Sequence, residues 1–452
     1  MNDTELRELE SYAAGHVADG IVRYGMAATS EGERRSFVEK LAREAIDKIA
    51  RDMVQSGVTT PTTEEEEQIV RHLVATQLGL GRLQLLLDED DIENININGA
   101  DNVWVKRADG TKEQVEPIAD TDEDLIELVQ RAARAHHTGG ERRIDSAKPI
   151  VDLHLTGGHR LSAMIEVSNR PCVSIRRHRL VDPVLDDLAD SMTDELARFL
   201  RAAVRARLNL IVSGGTDAGK TTLLRALAAE ADPQDRIVTI ELSYELGLHE
   251  LPHRHPDCVA WETREANTEG QGAVSMDYLV QRANRHDADR VIVGEVLGDE
   301  IVPMLNAMTA GKAGSMCTIH ADSTEGTFGK IKTYASQSPK HLTDNAAAQL
   351  TAQALDLVIF VRKRPDASGL ARRYVSSVRV VEDADGPHVI STEIFAEPEG
   401  GGPAVHHLGM PPGLRDRLAD AGYEAPLSVY GAAGFGTAGF DRAGFDRAEY
   451  RR

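Results

Sequence analysis

Three cysteines in 452 residues, Cys172, Cys258 and Cys317, are too few and too scattered for a disulfide framework. None stands in C-x-x-C spacing, which argues against a structural zinc site and for a reducing compartment. Aromatic residues make up only 4% of the chain, so its cores must be filled by aliphatic side chains. No run approaches the roughly 18 consecutive apolar residues that a membrane-crossing helix needs. The start, Met1-Asn2-Asp3-Thr4-Glu5, lacks the basic-then-apolar layout of a signal peptide. The expected setting is therefore the cytoplasm, with any membrane role exercised by docking. Positive charge is also short: 51 Lys and Arg face 73 Asp and Glu, for a net charge of −22. That balance opposes non-specific nucleic-acid binding, because phosphates would be repelled over most of the surface.

What the chain does have is length enough for two or three domains. Residues 1–57 are helical in composition and charged. Thr63 followed by Glu64 to Glu67 reads as a helix start, with acids set against the positive end of the helix dipole. Ile92 to Asn98 alternates apolar and polar residues into Asn98-Gly99, and Val103-Trp104-Val105 reads as its hairpin partner. Asp124 to Ala135 reads as an amphipathic helix, and Arg160–Ile165 and Pro171–Arg176 as two more strands. From Thr193 to about residue 360 strands alternate with helices, which predicts a mostly parallel sheet. A late β meander covers Leu357–Val361, Tyr374–Val381 and His388–Phe395. Beyond Phe395 the composition turns to Gly, Ala and Pro, with Phe435, Phe440 and Phe445 recurring every five residues, and predicts disorder.

The most informative stretch is Gly214-Gly215-Thr216-Asp217-Ala218-Gly219-Lys220-Thr221-Thr222, a G-x-x-x-x-G-K-T pattern. An apolar strand, Asn209 to Ser213, precedes it, and strong helix formers follow it. That order lets glycine-freed backbone N–H groups cradle phosphate at a helix N-terminus. Lys220 is placed to reach the β- and γ-phosphates of ATP, and the Thr221 hydroxyl to ligate Mg²⁺. An NTPase also needs an acid near the metal and a residue that orients water. Arg290 to Glu295 is an apolar strand ending in a carboxylate, so Glu295 is the candidate for the metal side. Arg236 to Glu241 is a second such strand, with Glu245 four residues on, and Gly314 to His320 a third, ending in His320.

These segments together resemble the type II/type IV secretion and pilus ATPase superfamily. The acid-tipped strand Ile240–Leu246, the Gly294-Glu295 ending and the Gly311–His320 segment sit where that family carries its signature boxes. Trp261 to Gly272 resembles the E-T-R-x-x-N-x-E-G-x-G segment of the tight-adherence (Tad/Cpa, Flp-pilus) branch, as do Asp91–Gly110 and Arg142–Asp145. The resemblance covers roughly residues 70–395. It implies an α/β fold: a RecA-like P-loop NTPase domain (193–395) with a smaller N-terminal α/β domain (69–180) and a linker (181–192). An N-terminal acidic helical extension (1–68) and a disordered C-terminal tail (396–452) flank them. It implies a homohexameric ATPase at the inner face of the plasma membrane, working with inner-membrane platform proteins of a secretion or pilus system. Lys220, Glu241, Glu295 and His320 become the expected catalytic set, Thr221 and Glu295 the metal pair, and residues 214–222 the phosphate cradle. Arg160, Arg176 and Arg264 are the expected phosphate-facing arginines, with Arg177 a weaker candidate that a surface ion pair would equally explain. The chain departs from the pattern at Leu242, where Asp is usual, at Leu297, where Arg is usual, at Lys312, where His is usual, and at Asp217 and Ala218, where Gly and Ser are usual. The departures at Leu242 and Leu297 keep open a second reading, a nucleotide-binding assembly factor with weak hydrolysis; a third is a conjugative DNA-transfer ATPase, which the acidic balance counts against.

Overall fold

The structure, a computed structural model, describes residues 3–24, 31–56, 59–78, 80–135, 143–155, 159–177, 182–264, 266, 270–365, 369 and 371–424. It groups into two compact units. One comprises Met1–Pro183, Pro233–Val296 and Lys363–Arg372; the other comprises Val184–Asp232, Leu297–Arg362 and Arg373–Arg452. This grouping cuts across the sequential boundaries read from the sequence.

The first unit opens with three helices, α1 (Asp3–Tyr24), α2 (Glu31–Gln55) and α3 (Thr63–Leu78). They share one aliphatic core that includes Val17, Leu41, Ile46 and Leu73. The acidic run at the start of α3 has a specific use. The Thr62 N–H donates to Glu65 Oε2 at 2.7 Å, and the Glu65 N–H donates to Thr62 Oγ1 at 3.3 Å, a reciprocal cap that starts the helix. A short helix α4 (Arg82–Asp88) leads into β1 (Ile92–Asn98), β2 (Val103–Arg107) and β3 (Lys112–Val115). Helix α5 (Asp122–Ala135) and strands β4 (Ile150–Leu155), β5 (His159–Met164) and β6 (Cys172–Arg176) follow. The six strands form an antiparallel sheet in the order β3-β2-β1-β6-β5-β4. The expected β1–β2 hairpin is present, and α5 buries Leu125, Leu128 and Val129 in the same core as the sheet.

The second unit begins in the stretch read as a linker, where Leu185–Ser191 folds as a 3-10 helix. Helix α6 (Asp194–Arg205) is capped by Thr193, whose hydroxyl accepts from the Leu196 N–H at 3.3 Å. Strand β7 (Leu210–Gly214), buried at every residue, and helix α7 (Lys220–Ala228) flank the glycine loop. The chain then returns to the first unit with β8 (Ile237–Glu241), β9 (Cys258–Glu262), α8 (Met276–Ala283) and β10 (Arg290–Val296). There β8 pairs in parallel with both β9 and β10. The second unit resumes with α9 (Ile301–Thr309), β11 (Met316–His320), α10 (Thr324–Gln337) and α11 (Asp344–Ala354). β12 (Leu357–Pro365), β13 (Ala371–Asp385) and β14 (His388–Ala396) follow, with Lys363–Arg372 belonging to the first unit. Here β7 pairs in parallel with β11 and with β12, while β13 and β14 are antiparallel. Parallel strands joined through helices give the α/β class that the alternation predicts. Among the described residues no helix is long and apolar enough to cross a membrane.

The expectation of disorder from residue 396 does not hold for residues 396–424. Strand β15 (Val405–His406) adds to β14, and helix α12 (Pro412–Asp420) follows. Leu414, Leu418 and Tyr423 are buried. The Tyr423 ring meets Phe199 edge-on at 5.7 Å, and Arg417 pairs with Asp356 at 2.6 Å. The Gly and Pro content hides this, because three apolar side chains at the right spacing are enough to seat a short helix on an existing core. The repeated Phe residues at 435, 440 and 445 lie outside the described residues. Leu418→Ala is expected to cost about 2–5 kcal/mol. In a unit of this size that lowers the melting temperature by at least about 4 °C, readable in a thermal melt; truncation after residue 399 should cost more.

Candidate functional site

In the second unit the glycine loop is shaped by what surrounds it. A Cβ on Gly214 would lie 2.4 Å from the Val361 carbonyl oxygen of β12, so no side chain fits at the end of β7. Helix α7 starts at Lys220 from Gly219, which sits in the left-handed region at φ 97°. The N–H groups of the first turn, including those of Thr221 and Thr222, have no intrahelical partner and point toward the loop's mouth. Gly215, Thr216, Asp217 and Ala218 make up the turn between strand and helix.

Lys220 is only 7% exposed despite its charge. Its Nζ donates to the Gly215 carbonyl at 3.0 Å and lies 3.1 Å from His320 Nδ1. Parallel register explains the meeting: β11 places His320 opposite Gly214 of β7. Two expected catalytic residues, 100 positions apart, are thus brought into contact. A partner that sequence reasoning missed also sits here. Arg373, on β13, donates Nε–H to the Asp217 carbonyl at 3.0 Å and holds Nη2 3.3 Å from Asp217 Oδ2. The only signal for it was the carboxylate itself, since an acid in a phosphate loop calls for a counter-charge.

In the first unit the acids take different tasks. Glu241, at the end of β8, is 3% exposed. Its Oε1 accepts the N–H groups of Glu245 at 2.9 Å and Leu246 at 3.0 Å, so it shapes the loop that follows. A Cβ on Gly294 would come within 2.9 Å of that same oxygen, which explains the glycine before Glu295. Glu295 is half-buried near the end of β10. The start of β10 is pinned by a buried ion pair, Arg290 to Asp235 at 2.6 Å.

Arg160 and Arg176 stand opposite each other on β5 and β6. With Asp152, Ser162, Ser174 and Ser243 they line a cavity of about 150 Å³. Burial, and then the Arg176 charge, lower the Arg160 pKa, while Asp152, Glu295 and Glu241 act the other way. Arg160 also pairs with Glu245, an acid that the sequence reading noted without assigning it a role. Arg177 is committed elsewhere: its Nη1 donates to the carbonyls of Glu89 and, at 3.0 Å, Ile92. Arg264 is exposed and donates Nε–H to the Gly272 carbonyl at 2.6 Å, closing the loop after β9. Leu242 and Leu297 are 51% and 42% exposed, each just beyond an acid-tipped strand. Among the described residues no group of three or more His, Cys, Asp or Glu could hold a metal by itself. A nucleotide-bound Mg²⁺ does not need one, because one or two protein oxygens complete a shell of phosphate and water.

Residues 77–377 match the family model described as type II/IV secretion system protein. A Mycobacterium tuberculosis protein named for conjugal transfer is 33% identical over 332 residues, which span 70% of this chain and 88% of the relative. The type IV secretion system protein PtlH of Bordetella pertussis is 28% identical, over 64% of this chain and 90% of its own length. Among solved structures, the VirB11 ATPase of the Brucella suis type IV secretion system aligns over 66% of this chain and 92% of its own, at 25% identity and a TM-score of 0.36.

The close approach at Gly294 has a measurable consequence. Gly294→Ala should displace the Glu241 carboxylate from the two amides it caps and cost about 1–3 kcal/mol of stability. A thermal or urea melt on the purified variant checks this, and a wild-type midpoint would show that the neighbourhood yields freely.

Proposed function

The chain belongs to the type II/IV secretion system protein family, and on that premise we propose that it is an ATPase that powers secretion or pilus assembly. The observation that carries the reading is the Lys220 ammonium held against His320 and the Gly215 carbonyl at the mouth of a glycine loop. A cation that changes partners between a carbonyl and a phosphate is what such a loop requires. In this reading backbone N–H groups of residues 215–222 hold the phosphates, and Lys220 turns from Gly215 to the β/γ oxygens. Thr221 and Glu295 would hold Mg²⁺, which would neutralise phosphate charge in the transition state. His320, beside Lys220, meets the γ-phosphate, and Glu241 or Glu295 orients the attacking water. Arg160, Arg176 and Arg264 supply further positive charge; the side-by-side pair Arg160–Arg176 gains most, because a bound anion relieves their mutual repulsion. ATP and water become ADP and phosphate.

The working form proposed is a homohexamer on the cytoplasmic face of the inner membrane, coupled to platform proteins there. The names of the relatives support a secretion or conjugal-transfer machine, and the Trp261–Gly272 segment supports the tight-adherence branch. The net charge of −22 favours contact with protein rather than with DNA. A second reading, a nucleotide-dependent assembly factor with slow or partner-dependent turnover, is favoured by two observations. Leu242 and Leu297 put exposed apolar surface beside the acids, and Glu241 spends an oxygen on its own loop. Steady-state turnover with and without membrane partners separates the two.

Lys220→Ala should nearly abolish ATP turnover, whereas Glu295→Gln should keep nucleotide binding and slow hydrolysis by about 10²-fold or more. A phosphate-release assay paired with a binding titration checks both; full turnover in Lys220→Ala removes the loop from the chemistry. Ring formation should follow the nucleotide, because arginines from a neighbouring copy would complete the charge. Light scattering with a non-hydrolysable ATP analogue tests this, and a monomer at every concentration contradicts it.

A further inference from the structure

A carboxylate inside a phosphate-binding loop is a chemical contradiction, and the structure contains its resolution. Asp217 occupies the turn between β7 and α7 and sits in the left-handed region at φ 58°. Its charge lies in the loop whose amides are to hold an anion, where the resembling family has glycine. Arg373, 156 residues further along, grips it at two points: Nε–H donates to the Asp217 carbonyl at 3.0 Å, and Nη2 lies 3.3 Å from Oδ2. The arginine stem continues across the loop, with its Cδ 3.6 Å from where a Cβ on Gly219 would stand. Both side chains are about a quarter exposed, at 24% and 26%, so water weakens the pair without dissolving it.

We propose that Arg373 is the internal counter-ion of the phosphate loop, a positioning residue that cancels the Asp217 charge and fixes the turn in its anion-accepting shape. The proposal rests on the nucleotide reading above and names how that site is regulated by its own chain. Two effects follow from one guanidinium. Its charge offsets a carboxylate that would otherwise repel the phosphates. Its planar fork holds the backbone oxygen and the side chain of one residue together, which restricts rotation about Asp217. Lysine in its place could offset the charge but not supply the planar two-point hold.

The test is a binding cycle on the full-length chain with a fluorescent Mg·ATP analogue. Arg373→Gln should weaken binding about ten-fold or more, since it removes the guanidinium charge that offsets Asp217 beside the phosphates. Asp217→Asn should tighten it, because a negative charge in the loop that repels the anion is removed. The double variant should bind within about three-fold of wild type, and Arg373→Lys should fall between wild type and Arg373→Gln. KM should rise in Arg373→Gln more than kcat falls, whereas a general loss of structure would lower kcat and the melting temperature together. If Arg373→Gln does not fold, the tightening in Asp217→Asn and the behaviour of Arg373→Lys still decide the matter. Equal weakness in the double variant and in Arg373→Gln overturns the proposal in favour of direct contact between Arg373 and nucleotide. An Arg373→Gln protein that binds like wild type overturns it outright. A wild-type chain that takes up no Mg·ATP removes the nucleotide reading itself, so the two failures are distinct.

Discussion

Asn209 fixes the position of the phosphate loop. It is 6% exposed and immediately precedes β7. Its Nδ2 donates to the carbonyls of Ala354 at 2.7 Å and Met308 at 3.4 Å. Its Oδ1 accepts the N–H groups of Gly314 at 3.0 Å and Ser315 at 3.1 Å. Its backbone N–H donates to Asp356 Oδ2, and its carbonyl accepts from Asp356 and Leu357. One side chain therefore ties the start of β7 to the ends of α9 and α11 and to the approach to β11, while its backbone ties it to β12. Five residues later the strand delivers Gly214, opposite His320 on one side and Val361 on the other. A register slip of one residue would turn each side chain to the wrong face. An apolar substitution at Asn209 would strand buried amides and carbonyls, each worth about 1–3 kcal/mol. The clamp sets where the loop sits, and Asp356 extends it to Arg417 of α12.

Much of the fold and part of the site were legible in the sequence because the deciding interactions are local. The apolar run 210–213, the glycines and the helix formers after Lys220 state strand, turn and helix within about twenty residues. The hairpin at β1 and β2 and the strand ends at Glu241, Glu295 and His320 are equally local. What stayed hidden depends on distant partners. Nothing near Arg373 announces that it reaches Asp217, and nothing near Glu241 announces that Glu245 and Leu246 will claim one of its oxygens. The packed segment at 404–423 was hidden for a different reason. Averaged composition registers Gly and Pro, while stability there comes from Leu414, Leu418 and Tyr423 meeting a surface supplied by α6. The boundary read at residue 68 falls inside α3 because the same helix that starts at Thr63 carries Leu73 and Val74 into the core of α1 and α2.

Acids on parallel strand ends look alike in sequence and differ in what surrounds them. Glu241 is buried and accepts hydrogen bonds from two amides, which hold it in one place. Glu245 is engaged by Arg160. Glu295 follows a glycine that is small because Glu241 needs the room. The Gly-Glu ending is thus an answer to packing as well as to chemistry, and the acid on β8 and the glycine on β10 form one structural unit. Leu242 and Leu297, each following one of these strands in sequence, are exposed.

Charge shows how local design overrides composition. A net charge of −22 gives the surface a sign that repels anions, yet the glycine loop proposed for phosphate carries the opposite sign. In the loop, Lys220 and Arg373 outweigh Asp217, and the amides of the first turn of α7 add their partial charges. On β5 and β6, Arg160 and Arg176 stand side by side, with Glu245 paired to Arg160 and Asp152 lining the same cavity. At physiological salt exposed charges more than about 8 Å apart are largely screened from one another. On the proposed nucleotide reading, polyanions that need a broad positive face would be turned away, while a compact phosphate chain small enough to enter the glycine loop would be accepted. Selectivity between them follows from the size of the positive region rather than from its strength. That is why a single internal ion pair, set into the loop at Asp217, can govern whether the loop accepts its ligand.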